Sequence, residues 1–519
     1  MKTNIKISIL AAALAFASCS KKDDVVVEPE APLTPGTANF SKYVAVGNSL
    51  SAGFSDGALF KEGQLGSWTN ILNEQFKLVG GGEFKIPFMP DDNIGGIINP
   101  FPACGINNIQ NPRLYWNNSI NLPSGGPSAV GNPTSQVFDR AAGSGFNNMG
   151  VPGAKVFHLL APGYGNLANL PNANPYFCRF SSSPNARIID DATAQNPTFF
   201  SCWIGNNDVL SYATSGGEGT DQTGNFNPAT YGQNDITDPN VFAGSYNTIL
   251  NGTTTPVVTK GLTFNNTKGV VCNIPYVSTL PYFTTVKYNA ATLNLANVTL
   301  LNSGYAAYNG GLQSAKNAGL ITETERLART ISFVVGSNAL VMVDNDLTTV
   351  NVPGVITLPN LRQTTSADFI LLSSTVPSTT PGCPPVSKGA PLHLNEGNGT
   401  RFPLATNWVL SKNEVTKIKT ATDAYNATIK ALAAAKGLAF VDANAILAQV
   451  AKTGISYNGY TITSTYPTGG AFSLDGVHPC PRGYALIANK VMEAINATYG
   501  SNLKPVDVTK YRVQYPKIL

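Results

Sequence analysis

Charge is scarce in this chain. Asp, Glu, Lys and Arg make up 12% of the residues, 34 basic against 30 acidic, for a formal charge of +4. No basic stripe long enough to track a phosphate backbone stands out, which argues against a nucleic-acid partner. Histidine is scarcer still, with three among 519 residues. No C-x-x-C pair and no His/Cys cluster occurs, so the sequence predicts no zinc or other metal site and names no cofactor. No apolar run is long enough to cross a bilayer of roughly 30 Å as a helix. The abundant residues are uncharged: 43% hydrophobic, with 49 Gly and 35 Pro. That is enough apolar material for a full-sized core and excludes a wholly disordered chain.

The first residues read as an export address. Lys2 and Lys6 precede the mainly apolar run Ile7 to Phe16, which leads into Ala17-Ser18-Cys19. A positive region, a short apolar stretch and a small-residue cleavage site make a secretory signal. The pattern resembles a bacterial lipoprotein signal over residues 1–18, with Cys19 as the lipidated N-terminus, although Phe16 stands where Leu is usual. An ordinary cleaved signal with an incidental Cys is the alternative. Residues 19–38, rich in Lys, Asp, Val, Glu and Pro, read as a flexible tether to a membrane. The expectation is an outer-membrane lipoprotein, with periplasmic and surface-exposed orientations both open.

Exported chains permit disulfides. Cys104, Cys178, Cys383 and Cys480 sit in loop-like or Pro-rich segments and are the candidates. Cys202 and Cys272 lie in apolar strand-like runs and read as buried thiols.

Strand and helix signals alternate along residues 39–505. Tyr43–Val46, Thr198–Ile204, Val270–Ile274 and Leu438–Val441 are short β-rich runs, each closed by Gly, Pro or Asp. They fit buried parallel strands. Ser411 with Glu414 forms a capping box. Val415, Ile418, Ala421, Tyr425, Ile429 and Leu432 follow at helical spacing, and Gly437 stops them before the next strand. A last helix is expected from Arg482 to about Ile495. These steps predict an α/β domain. Gly-, Asn-, Pro- and Thr-rich stretches at about 84–147, 211–267 and 345–405 read as insertions, and 506–519 as a C-terminal tail.

Four segments carry candidate chemistry. Gly47-Asn48-Ser49-Leu50 follows the first strand, where a Ser can expose its hydroxyl beyond the sheet. A Ser/Asn cap in a Gly-rich turn accounts for it as well. Asn148 to Ala154 contains Gly153, whose backbone N–H suits an oxyanion, or is simply a loop. Gly205-Asn206-Asn207-Asp208 ends another strand, where an Asn amide can donate to an oxyanion or cap a helix. Asp475-Gly476-Val477-His478 sets an acid three residues before a His, as a base acting on a hydroxyl requires.

In this order the four segments resemble the SGNH (GDSL-type) serine hydrolase family. Asn273-Ile274-Pro275 and the pairs His478-Pro479 and Gly483-Tyr484 are similar too. The resemblance implies a three-layer α/β/α sandwich with a central parallel sheet, of flavodoxin-like type. It implies an ester hydrolase with Ser49 as nucleophile, His478 as base and Asp475 orienting it. The Ser49 and Gly153 N–H groups and the Asn207 side chain would form the oxyanion hole. Asn48 stands where the family has Asp; that residue organises the loop, so its amide is expected to be tolerated.

His158 lies close to Gly153, where it lines the site, supports it from behind or lies on the surface, and His393 has no assigned role. Asp208 braces the Asn207 loop or caps a helix. Trp203 reads as core. The apolar stretches Phe84–Met89 and Ile97–Phe101 suit a lipid or aryl ester, or an internal face. Acetylated glycans are the alternative substrate, and a non-catalytic glycan-binding lipoprotein the alternative class. An α/β-hydrolase shares the Ser, Asp, His order but normally places its Ser far from the N-terminus within G-x-S-x-G; around Ser49 the last small residue is Ser51, and the acid–His gap is only three.

Overall fold

The computed structural model describes residues 32–103, 106–119, 125–255, 258–354, 356–378, 383 and 385–519. The signal segment, Cys19 and most of the tether therefore lie outside the described residues.

Five short strands form the centre: β1 Tyr43–Gly47, β2 Asn148–Gly150, β3 Phe199–Trp203, β4 Lys268–Cys272 and β5 Ala439–Val441. All pair in parallel in the order 2-1-3-4-5, the doubly wound order. Nearly every strand residue is buried, because helices cover both faces. The alternation along β3 shows this. Phe199 packs edge-on against Phe76 and Tyr499 on one face, while Cys202 meets Tyr246 on the other. The fold is the expected α/β sandwich. Four strands match the sequence reading; β2, with three residues, was too short to give a pattern.

The helices that matter for the site are, in chain order, α1 Ser49–Ala52, α2 Trp68–Lys77, α3 Asn207–Thr214, α4 Pro239–Asn251, α5 Leu295–Asn317, α6 Lys412–Ala435, α7 Ala443–Lys452 and α8 Pro481–Tyr499. α2 and α8 pack together on one face, and α4 and α6 on the other, where Phe242 stacks on Tyr425 at 4.0 Å. The expected capping box is present: the Ser411 hydroxyl accepts from the Glu414 amide, and the Glu414 carboxylate accepts from the Ser411 amide. α8 runs one residue earlier and four residues later than the periodicity suggested.

The insertions differ from the sequence reading in extent. Within 84–147 two antiparallel strand pairs form, Ile97–Ala103 with Ile106–Gln110 and Leu114–Asn117 with Gly126–Ala129. The stretch 211–267 is not wholly an insertion, because α4 lies in it and buries Phe242, Tyr246, Ile249 and Leu250 in the main core. The third insertion begins earlier than residue 345. α5 belongs to it and packs Leu301, Leu312 and Ala315 against Ile331, Phe333 and Val341 in a small core of its own. Gly304, Gly310 and Gly311 inside α5 hid that helix from propensity. Arg362 ties this lobe to the sandwich: it pairs with Asp344 and, bidentately, with Asp368, which also accepts from the Lys412 amide.

Two further expectations change. Residues 506–519 fold back onto the domain, with Val508 and Tyr515 buried. Cys178 and Cys480 are buried free thiols, as are Cys202 and Cys272, whereas Cys383 is disulfide-bonded.

Candidate active site

The first strand ends where its chain must turn sharply. A Cβ on Gly47 would stand 2.3 Å from Ser51 Oγ and 2.5 Å from the Trp203 carbonyl, so only glycine fits. Asn48 then caps α1: its Oδ1 accepts from the Leu50 amide at 3.0 Å, and its Nδ2 donates to Asn206 Oδ1 at 3.1 Å. Its side chain therefore organises the loop. Ser49, the first residue of α1, is left at the carboxyl end of the sheet, 7% exposed.

His478 arrives from the loop before α8. Its Nε2 lies 2.8 Å from Ser49 Oγ, and its Nδ1 lies 2.8 Å from Asp475 Oδ2. With Nδ1–H donated to the carboxylate, Nε2 keeps its lone pair for the serine proton. Asp475 also accepts from the amides of Val477 and His478, the Ser473 hydroxyl and the Gly57 amide. Burial pushes its carboxyl up, but His478 and these donors outweigh burial and hold it below its ordinary range. Phe54 covers the imidazole, with ring centroids 4.5 Å apart.

One short segment after α1 braces this acid–base loop. Ser55 donates to the Pro479 carbonyl at 3.1 Å, the Asp56 amide to Ser473 Oγ at 2.9 Å, and Asp56 Oδ1 accepts from the Leu474 amide at 2.8 Å. Asp56 is 1% exposed, and its Oδ2 has no partner among the described residues. Burial, reinforced by the nearby Asp475, pushes it up to about 7. Sequence reading missed this residue; its only trace is the turn-forming Asp56-Gly57 dipeptide, with φ of 51° and 79°.

Asn207 opens α3 and, with Ser49 and His478, lines one apolar cavity. Its amide donates to the Ala154 carbonyl at 2.9 Å. Gly153, with φ of 81°, directly precedes Ala154 and is exposed in the loop after β2. Asp208 braces that same loop, accepting from the Val156 amide and the Thr237 hydroxyl. Burial raises its carboxyl to about 6, against the pull of Lys155.

His158 does not join the cavity. It stacks on Tyr164 at 4.4 Å, its Nδ1 accepts from the Lys155 amide, and burial lowers it to about 3. His393 stacks on Trp408 in the third insertion. Trp203 is core, donating to the Asn273 carbonyl at 3.0 Å. Among the described residues no group of three His, Cys, Asp or Glu side chains is gathered as a metal ligand set, and no helix is long and apolar enough to cross a membrane.

Compared with known proteins, the chain matches no family model, no curated protein and no solved structure.

Proposed function

We propose that this protein is a serine ester hydrolase of the SGNH (GDSL) type. The observation that carries the reading is the continuous chain Asp475–His478–Ser49, two contacts of 2.8 Å each, at the carboxyl end of a parallel sheet. The order of the Ser49, Gly153, Asn207 and Asp475–His478 segments supports it.

In this reading His478 Nε2 takes the Ser49 proton as Oγ attacks the ester carbonyl. Asp475 holds the imidazole in the right tautomer and stabilises the imidazolium. The Ser49 and Gly153 amides and the Asn207 side chain receive the oxyanion, Asn207 by turning from Ala154. His478 then protonates the leaving alkoxide, and an acyl-Ser49 ester remains. Water, deprotonated by His478, attacks it, and the imidazolium returns that proton to Ser49 Oγ as the free acid leaves.

A lipid anchor at Cys19 would hold the domain at an outer membrane. The signal-like pattern of residues 1–19 supports that part. Lipid, aryl and acetylated-glycan esters are the substrate classes compatible with the sequence. The test is turnover of p-nitrophenyl esters by the mature domain and by Ser49→Ala. Turnover abolished in the variant is expected; a folded protein with no Ser49-dependent turnover of any ester overturns the reading and leaves glycan binding to be tested.

A further inference from the structure

The cavity beside Ser49 has a volume of about 110 Å³ and an almost wholly apolar lining. Two helices make its long walls. α7 presents Ala443, Ile446, Leu447 and Val450, and α8 presents Gly483, Leu486, Ile487 and Lys490. Each set repeats at i, i+3, i+4 and i+7, the stripe by which a helix buries one face. Such stripes ordinarily interdigitate, with axes about 8–10 Å apart. Here α7 and α8 make no extended packing contact, and the stripes line a slot instead.

The slot begins at the chemistry. Ser49 and His478 line it, and Gly483 sits against Ala471 and Pro479 of the catalytic loop. From Gly483 to Lys490 a helix rises about 10 Å. An extended hydrocarbon advances about 1.3 Å per carbon, so about eight carbons span that length, about four of them filling the enclosed volume and the rest lying in the open part of the slot. At the far end Lys490 directs its ammonium to Glu493 at 2.8 Å, and Tyr457 donates to the same carboxylate at 2.7 Å.

We propose that the slot between α7 and α8 binds the acyl chain of the ester, so that the enzyme takes straight-chain acyl esters of about eight carbons in preference to acetyl esters. This rests on the serine hydrolase reading. The carbonyl lies at Ser49 Oγ and the chain runs along the two stripes. The alcohol leaves with the proton from His478, and the acyl group stays in the slot until water releases it. Each methylene taken from water raises kcat/KM about fourfold. An acetyl group gains none of this.

The test measures kcat/KM on p-nitrophenyl acetate, butyrate, hexanoate, octanoate and dodecanoate. Wild type is compared with Ile487→Trp and Leu447→Trp, which fill the slot from opposite walls, and thermal melts check that each folds. The expected result is a maximum near octanoate and a fall of at least tenfold in the octanoate-to-acetate ratio in a folded variant. An unchanged ratio in folded variants, or a wild-type preference for acetate, overturns the slot while leaving the hydrolase intact. Absence of Ser49-dependent turnover overturns the hydrolase separately. Calorimetric titration of Ser49→Ala with octanoate, with and without Ile487→Trp, then decides. Binding lost on filling supports the slot, and no binding overturns it.

Discussion

His478 Nε2 stands 2.8 Å from Ser49 Oγ across 429 residues of sequence. The contact is not left to chance, because the residues just after Ser49 bind the loop that carries His478. Ser55, Asp56 and Gly57 together hold Pro479, Leu474, Ser473 and Asp475. Ser49 and His478 are thus mounted on one clamp.

Replacing Asp475 by Asn should lower kcat by about four orders of magnitude with little change in KM, through loss of the correct tautomer and of imidazolium stabilisation. Steady-state kinetics on the best p-nitrophenyl ester measure this. Asp475 is held below its ordinary range. Its contribution to stability is therefore present above about pH 4 and lost as pH falls through its folded value. Acid unfolding of wild type beside Asp475→Asn reads that sign.

Asp56 gives the opposite pH dependence. It faces Asp475 and Arg113, with Tyr466, Cys480 and Tyr515 also near. Raised to about 7, it penalises folding by on the order of 4 kcal/mol once ionised, the cost growing between about pH 4 and pH 7. Asp56→Asn keeps the acceptor for Leu474 and removes the charge. Its melting temperature should exceed that of wild type at pH 8, and the difference should shrink toward pH 4.

Asn207→Ala should reduce kcat by about a hundredfold to a thousandfold if the amide receives the oxyanion, with KM nearly unchanged. Should the amide serve only to hold the Ala154 carbonyl, the melting temperature falls and kcat stays. Kinetics and melts on one preparation separate the two.

Ending the chain at Gln514 should destabilise the domain by about 3 kcal/mol. Buried Arg113 donates to the carbonyls of Pro516 and Lys517 at 2.9 Å each, and Tyr515 is 4% exposed. Truncation strands two donors of a buried cation. Urea unfolding of the shortened and full domains measures the loss; a true tail would give none.

The parts of the fold legible in the sequence were those set by local pattern. β1, β3, β4 and β5 are apolar runs closed by turn residues, and Ser411 with Glu414 starts α6 through contacts within four residues of chain. α5 was hidden by its glycines, and α4 by lying in a polar stretch. In both cases a few buried positions packed against distant partners decided the helix.

The site divides in the same way. The sequence by itself marked Ser49, Asp475 and His478 as candidates, because a serine after a tight Gly47 turn and an acid three residues before a histidine are short-range patterns. It also determined how Asn48 caps its own loop. Only the tertiary structure decided what surrounds them. The Asp56 brace joins segments more than four hundred residues apart, and the slot exists because two apolar helix faces stand apart instead of packing. An apolar stripe reads identically in sequence whether it meets a neighbouring helix or an open space, so the slot could be seen only in the folded chain.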